Sequence, residues 1–311
     1  MAERFFMPSS SVGEVFILKT SNRAAGVKQL LSQFGLDEYS DKHVALKANF
    51  NSADPFPAST HPDTLRAIVE ALKGANVGDV TLAERSGMGN TRQVLEHSGV
   101  FGLSEELGFK AVVLDELAEE EWVKVSHDGT HWLKGFFIAK PFLDADKVVQ
   151  TCCLKTHRFG GHFTLSLKNS VGLVAKRVPG TIYDYMWELH GSPFQRLMIA
   201  EINKHYSADL IVMDGIKAFI GGGPERGELV EPNLMLASEE RVAIDAAGVA
   251  ILRIYGATQH IGKGSIFELD QLRRAAELGI GVKSASEIRL KPLNEESRGV
   301  AEKIERELQT E

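Results

Sequence analysis

Short runs rich in Val, Ile, Leu and Phe alternate along the chain with longer stretches whose apolar residues recur every three or four positions. The first pattern suits strands buried on both faces and the second suits helices packed on them. Their alternation predicts an α/β fold: a mostly parallel sheet with helices on both faces, plus a β-hairpin. Strands are expected at 14–20, 43–49, 79–84, 110–115, 147–154 and 209–214. The runs 121–126 and 133–139 flank His127-Asp128-Gly129 and read as the hairpin. A helix over 60–75 would take Ser59 or Thr60 as its cap and carry Leu65, Ile68, Val69 and Leu72 on one face. Others are expected at 91–96, at 194–206 behind Ser192-Pro193, at 238–254 opening Ser-Glu-Glu, and at the charged tail 294–309. No repeat or low-complexity linker interrupts the pattern. One α/β domain over 1–311 is therefore expected, with a division into two lobes near 140–160 as the alternative.

In a parallel sheet, ligands gather at the carboxyl ends of strands, where helix N-termini offer unpaired N–H groups. That rule selects 47–49, 84–91, 155–169 and 214–227, all polar or glycine-rich for their position. The densest is the third: Lys155, His157, Arg158, Gly160, Gly161, His162, Thr164, Lys168 and Asn169, with Lys176 and Arg177 following. A cluster of cations and hydrogen-bond donors points to a small anionic ligand, a carboxylate or phosphate. Scattered surface cations on a solvated turn are the plainer alternative. Gly221-Gly222-Gly223-Pro224 forms a backbone-shaped loop without the Lys-Ser/Thr of a phosphate-binding loop. Ser86-Gly87-Met88-Gly89-Asn90-Thr91 leads into a helix but lacks the third glycine of a dinucleotide fingerprint. Asp214 and Glu84 each end an expected strand and could act as acid, base or cation ligand. Asp245 lies near a helix start, where a carboxylate more often serves the helix dipole, and His190 has no assigned role.

Composition narrows the field. The 311 residues carry a formal net charge of −7 with a pI of about 5.9, which gives no footprint for nucleic acid. No apolar run is long enough to span a membrane, and the first eleven residues show no signal pattern, so a cytoplasmic location is expected. The two cysteines, Cys152 and Cys153, are adjacent, which excludes a secreted disulfide framework. Neighbouring cysteines on a strand point to opposite faces, so one chain cannot easily use both on one zinc ion with His157 and His162. Two copies related by a two-fold axis could supply four thiolates to an iron–sulfur cluster. A buried apolar pair is the other reading.

The order of these pieces resembles the family called domain of unknown function 362. The likeness runs from KANFNSADP at 47–55 through most of the chain to residue 254. Its most specific parts are Lys155-Thr156-His157, Lys168-Asn169-Ser170-Val171-Gly172, and the Gly-Gly-Pro-x-x-Gly of 222–227. Lys47, Asn49, Glu84, Lys155, His157, Lys168, Asn169, Asp214 and Asp245 match positions of the family pattern. Members sometimes carry ferredoxin-type iron–sulfur modules, which implies a redox setting; this chain has no Cys-x-x-Cys-x-x-Cys run. Relatives usually place apolar residues or proline where this chain has Cys152-Cys153.

Together these readings give three expectations. The first is a redox or metal-linked protein with a 4Fe-4S cluster on Cys152 and Cys153, shared across a homodimer and served by an electron-transfer protein. The second is a cofactor- or metal-assisted isomerase or transferase of a small hydroxy acid, by fold analogy with the nickel-pincer lactate racemases. Lys155, His157 and Asp214 would be its catalytic groups. Lys47, Asn49, Glu84, Arg158, Thr164, Lys168, Asn169, Gly222, Gly223 and Pro224 would hold the ligand. The third is a non-catalytic carrier or interaction protein.

Overall fold

The β-branched and leucine-rich runs form the strands of a mixed, mostly parallel sheet. The structure, a computed structural model, describes residues 12–310, so the amino-terminal stretch read for a signal pattern lies outside the described residues. In chain order the strands are β1 (Gly13–Lys19), β2 (His43–Lys47), β3 (Asp79–Glu84), β4 (Lys110–Val113), β5 (Trp122–Val125), β6 (Phe136–Ala139), β7 (Lys147–His157), β8 (His162–Thr164), β9 (Leu210–Gly222), β10 (Gly227–Val230), β11 (Leu234–Ser238) and β12 (Ile288–Pro292). The main sheet runs β12-β1-β11-β9-β7-β2-β3-β4, with β10 on β9 and β8 on β7. β9, β7, β2, β3 and β4 run parallel, whereas β11 joins β1 and β9 antiparallel. β5 and β6 form the expected hairpin as a separate antiparallel pair.

Alternation along the strands divides the core in two. On β9, Leu210 and Val212 face one cluster while Ile211 and Met213 face the other. Helices Arg23–Leu31, Pro62–Gly74, Thr91–His97 and Val100–Leu107 cover the first side. Tyr185–Gly191, Gln195–Ile202, Arg241–Ile254, Asp270–Glu277 and Glu295–Leu308 cover the second.

Several boundaries differ from expectation for local reasons. The second helix begins at Pro62 with His61 as its cap. Thr60 instead accepts a hydrogen bond from the Asn49 backbone, and Ser59 donates to the Ser52 carbonyl. Ser238 belongs to β11, and Glu240 caps Arg241–Ile254 by accepting from the Val242 and Ala243 N–H groups. The helix expected over 194–206 spans Gln195–Ile202. β7 and β9 both run past their expected ends, at 154 and 214. Their pairing shifts there: Cys153 faces Asp214 but Leu154 faces Ala218, so 215–217 bulge out of the ladder. Asp214 closes this bulge by accepting from the Ile216 N–H at 3.1 Å. Beyond it the two strands continue together, carrying Lys155 to His157 and Ala218 to Gly222. Of the polar stretch 155–169 read as a loop after β7, Lys155–His157 are the strand's last residues, His162–Thr164 form β8 and Ser166–Asn169 form a helical turn.

Candidate functional site

A cavity of about 490 Å³ opens at the carboxyl ends of β2, β3 and β7, where the topology places a ligand site. Lys47 and Asn49 come from the end of β2, Glu84 and Arg85 from the end of β3, and Lys155 and His157 from the extension of β7. Thr164 comes from β8, and Lys168 and Asn169 from the single turn Ser166–Asn169. Pro224, at the tip between β9 and β10, completes one wall.

One end of the cavity is held by a buried ion pair. Lys47 Nζ donates to both Glu84 oxygens, at 2.6 and 2.8 Å, and to the Ala48 carbonyl. Glu84 also accepts from the backbone N–H groups of Phe50 and Arg85. Asn169 links the pair to β7, with its carbonyl oxygen 3.3 Å from Lys47 Nζ and its amide donating to Thr151 O. Gly172 makes this possible, because a Cβ there would lie 2.6 Å from Lys47 Cε and 2.9 Å from Glu84 Oε1. Burial lowers the Lys47 pKa, and Glu84 opposes that shift.

Lys155 is fully buried and spends all its donors on the protein, bonding Asn49 Oδ1 at 2.7 Å and the carbonyls of Pro57 and Ala58. It ties β7 to the loop after β2, so the expected catalytic lysine is a positioning group. Lys168 is the contrast. It is 8% exposed, and its Nζ has no hydrogen-bond or ion-pair partner among the described residues. Burial, with Arg85 and Lys155 nearby, lowers its pKa to about 8. Beside it, His157 Nδ1 and Thr164 Oγ1 are buried without partners. Burial drives the His157 pKa well below its usual value, and Lys168 adds to that. Gly161 gives both side chains room, since a Cβ there would meet Lys168 Cε at 2.8 Å and His157 Nδ1 at 2.9 Å.

The turn carrying Lys168 is itself anchored. Asp245 accepts from the Ser166 and Leu167 N–H groups at 2.8 and 2.9 Å. The carboxylate expected to serve its own helix instead caps a neighbouring turn, and burial raises its pKa to about 7.

Other expected site residues lie away from the cavity. Asp214 accepts from Arg23 Nε at 2.8 Å and Thr64 Oγ1 at 2.6 Å as well as closing the bulge, so all its visible bonds are structural. Arg158 holds the Gly223 carbonyl at 2.9 Å and pairs with Glu225. Gly222 and Gly223 adopt positive φ, and a Cβ on Gly223 would collide with Thr156 O; they shape the turn that delivers Pro224.

The cysteines do not fit a cluster as the chain is folded. Each is 1% exposed in the middle of β7, a central strand. Cys152 packs in the second core cluster while Cys153, one residue on, faces the other side of the sheet near Thr60. Burial raises both thiol pKa values, that of Cys153 to about 11, which opposes the thiolate a metal requires. A cluster bridging two copies needs thiolates at a surface, and these lie in the sheet interior.

Sequence reasoning missed Arg85. It is buried, and its guanidinium donates to the carbonyls of Val174 at 2.7 Å, Val171 at 2.5 Å and Ser86 at 3.3 Å. It lay inside the selected stretch 84–91, but nothing local distinguishes a buried arginine from a surface one. His190 also lines the cavity, with Nδ1 2.7 Å from the Met186 carbonyl. Asp184 caps Tyr185–Gly191 at the mouth and pairs with Arg177 at 3.1 Å, while Lys176 stands 3.9 Å from Asp115. Arg85, Lys155 and Lys168 form no ion pair with a described carboxylate, so the interior carries excess positive charge.

A thylakoid-associated protein of Synechocystis sp. is 28% identical over 201 residues, which cover 64% of this chain and 59% of that one. The chain thus spans about three fifths of that relative's length. The lactate racemase apoprotein from Thermoanaerobacterium thermosaccharolyticum is similar with a TM-score of 0.45 and 19% identity, covering 74% of this chain and 55% of that chain. The family model described as domain of unknown function (DUF362) matches residues 44–250, a span that includes every cavity residue named above, and the chain belongs to that family.

Proposed function

We propose that the cavity binds a small organic anion, a carboxylate or a phosphate, and performs acid–base chemistry on it as an isomerase or transferase of a hydroxy acid. The observation that carries this reading is the unpartnered Lys168 Nζ beside the unpartnered His157 Nδ1 and Thr164 Oγ1, in a cavity with excess positive charge. Lys168 is mostly an ammonium at pH 7, suited to hold an anionic group and to donate a proton. His157 is a neutral imidazole at the same pH, suited to accept one. Two titratable groups whose surroundings favour opposite protonation states make an acid and a base in one site. Thr164 is placed to orient a ligand hydroxyl. Lys155, Asn49, Asn169 and the Lys47–Glu84 pair hold this set in register.

The test is a thermal-shift and calorimetric panel of phosphate, lactate and other short hydroxy acids, followed by turnover assays on those that bind. Wild type should bind at least one member, with affinity falling as pH rises through about 8, where Lys168 loses its proton. Lys168→Met should abolish binding. His157→Gln should keep binding and lose about 10²–10⁴-fold in turnover. Binding without turnover by wild type would instead support a carrier, and no binding by any member would defeat the reading.

A further inference from the structure

We infer that the ligand is an amphipathic anion: its charged head lies among Lys168, His157 and Thr164, and its apolar or aromatic body lies against Phe159, Met88 and Trp187 at the mouth. This deepens the anion-binding reading above and rests on it. Seven large hydrophobic side chains are exposed among the described residues, and these three line one cavity, Trp187 at 80% exposure. Trp187 stands outward from Tyr185–Gly191 while its neighbours Tyr185, Met186 and Leu189 are buried. An exposed apolar rim around a polar floor marks a surface meant to be covered. The apolar character continues inward through Met186, whose sulfur lies 3.1 Å from Arg85, and through Val171.

Size and charge select the occupant. A cavity of about 490 Å³ falls within the roughly 300–1,000 Å³ that encloses ligands of drug size, so a phosphate or a three-carbon acid would leave most of it empty. The floor carries three cations without carboxylate partners among the described residues, so the part that enters must be anionic. Phe159 is itself held in place: its ring meets the His157 ring edge-on at 5.8 Å, and Arg158 lies over its face at 4.2 Å. It links the aromatic rim directly to the imidazole assigned as base.

The experiment titrates the intact chain with inorganic phosphate, phenyl phosphate, acetate and phenylacetate, reading heat and tryptophan emission. Of the three tryptophans, Trp122 and Trp132 are buried, so a change in emission reports chiefly on Trp187. The phenyl-bearing anions should bind roughly tenfold or more tighter than their parents and shift the emission to the blue. Trp187→Ala should bring the affinity ratio between phenyl phosphate and phosphate close to one. If phosphate binds and phenyl phosphate is no tighter, or if Trp187→Ala leaves the ratio intact, this inference falls and the anion site stands. If no anion binds, both fall. A blue shift that grows with protein concentration in ligand-free buffer would show a second copy covering the rim and would also overturn it.

Discussion

Lys155 and Lys168 sit thirteen positions apart in the densest polar stretch, and nothing in their immediate neighbours separates their roles. What separates them is the partner set that folding supplies: three acceptors for Lys155, and none among the described residues for Lys168. The location of the site was therefore legible, whereas the division of labour inside it was not. The cysteines show the reverse limit. Their vicinal spacing is unusual enough to invite a metal, yet their chemistry is set by a central strand that buries one on each face. Both thiols should resist an aromatic disulfide reagent at pH 8 in the native chain and react within minutes once unfolded. Rapid stoichiometric labelling of native protein would contradict the buried, protonated state described here.

At the scale of elements, the short runs at 43–49, 79–84, 110–115, 147–154 and 209–214, rich in Val, Ile, Leu and Phe, identified the parallel strands β2, β3, β4, β7 and β9, the last two only in their first parts. β11 and β12 went unread: Leu234–Ala237 was given no element and Ser238 was taken into the helix that follows, and Ile288–Pro292 is half polar because it edges the sheet. The bulge at 215–217 leaves no pattern of its own, so the strand extensions that carry Lys155 and His157 passed as loops. Gly172 was legible only as part of a motif, and its reason is spatial. It lies in the turn Ser170–Leu173 against the Lys47–Glu84 pair, with no room for a methyl group. Gly172→Ala should cost about 1–3 kcal/mol of stability through overpacking. Urea unfolding would show this as a lower midpoint with an unchanged slope, and an unchanged midpoint would mean that the pair is not held there.

At the scale of the whole molecule, an acidic chain of net charge −7 encloses a cationic interior. That arrangement should appear in the pH dependence of stability. Lys168 has a folded pKa of about 8 against an ordinary value of 10.5. Between those values the unfolded chain holds the proton and the folded chain has released it, so stability rises with pH across that window. Burial lowers Lys47 and Lys155 as well, which acts in the same direction. In anion-free buffer, the urea midpoint should therefore increase from pH 7.5 to pH 9.5, and a saturating bound anion should flatten the rise by keeping Lys168 protonated. A midpoint that falls steadily over this range would contradict the buried, unpaired lysine. A separate consequence follows from the bulge. Beyond it, β7 and β9 stay paired with each other and take β8 and β10 on their outer edges, with Asp214 as the clamp at the bulge and Arg23 and Thr64 as its bolts. Residues that never meet the ligand thus set the angle at which the imidazole of His157 enters the cavity, so loosening the clamp would detune the site from a distance.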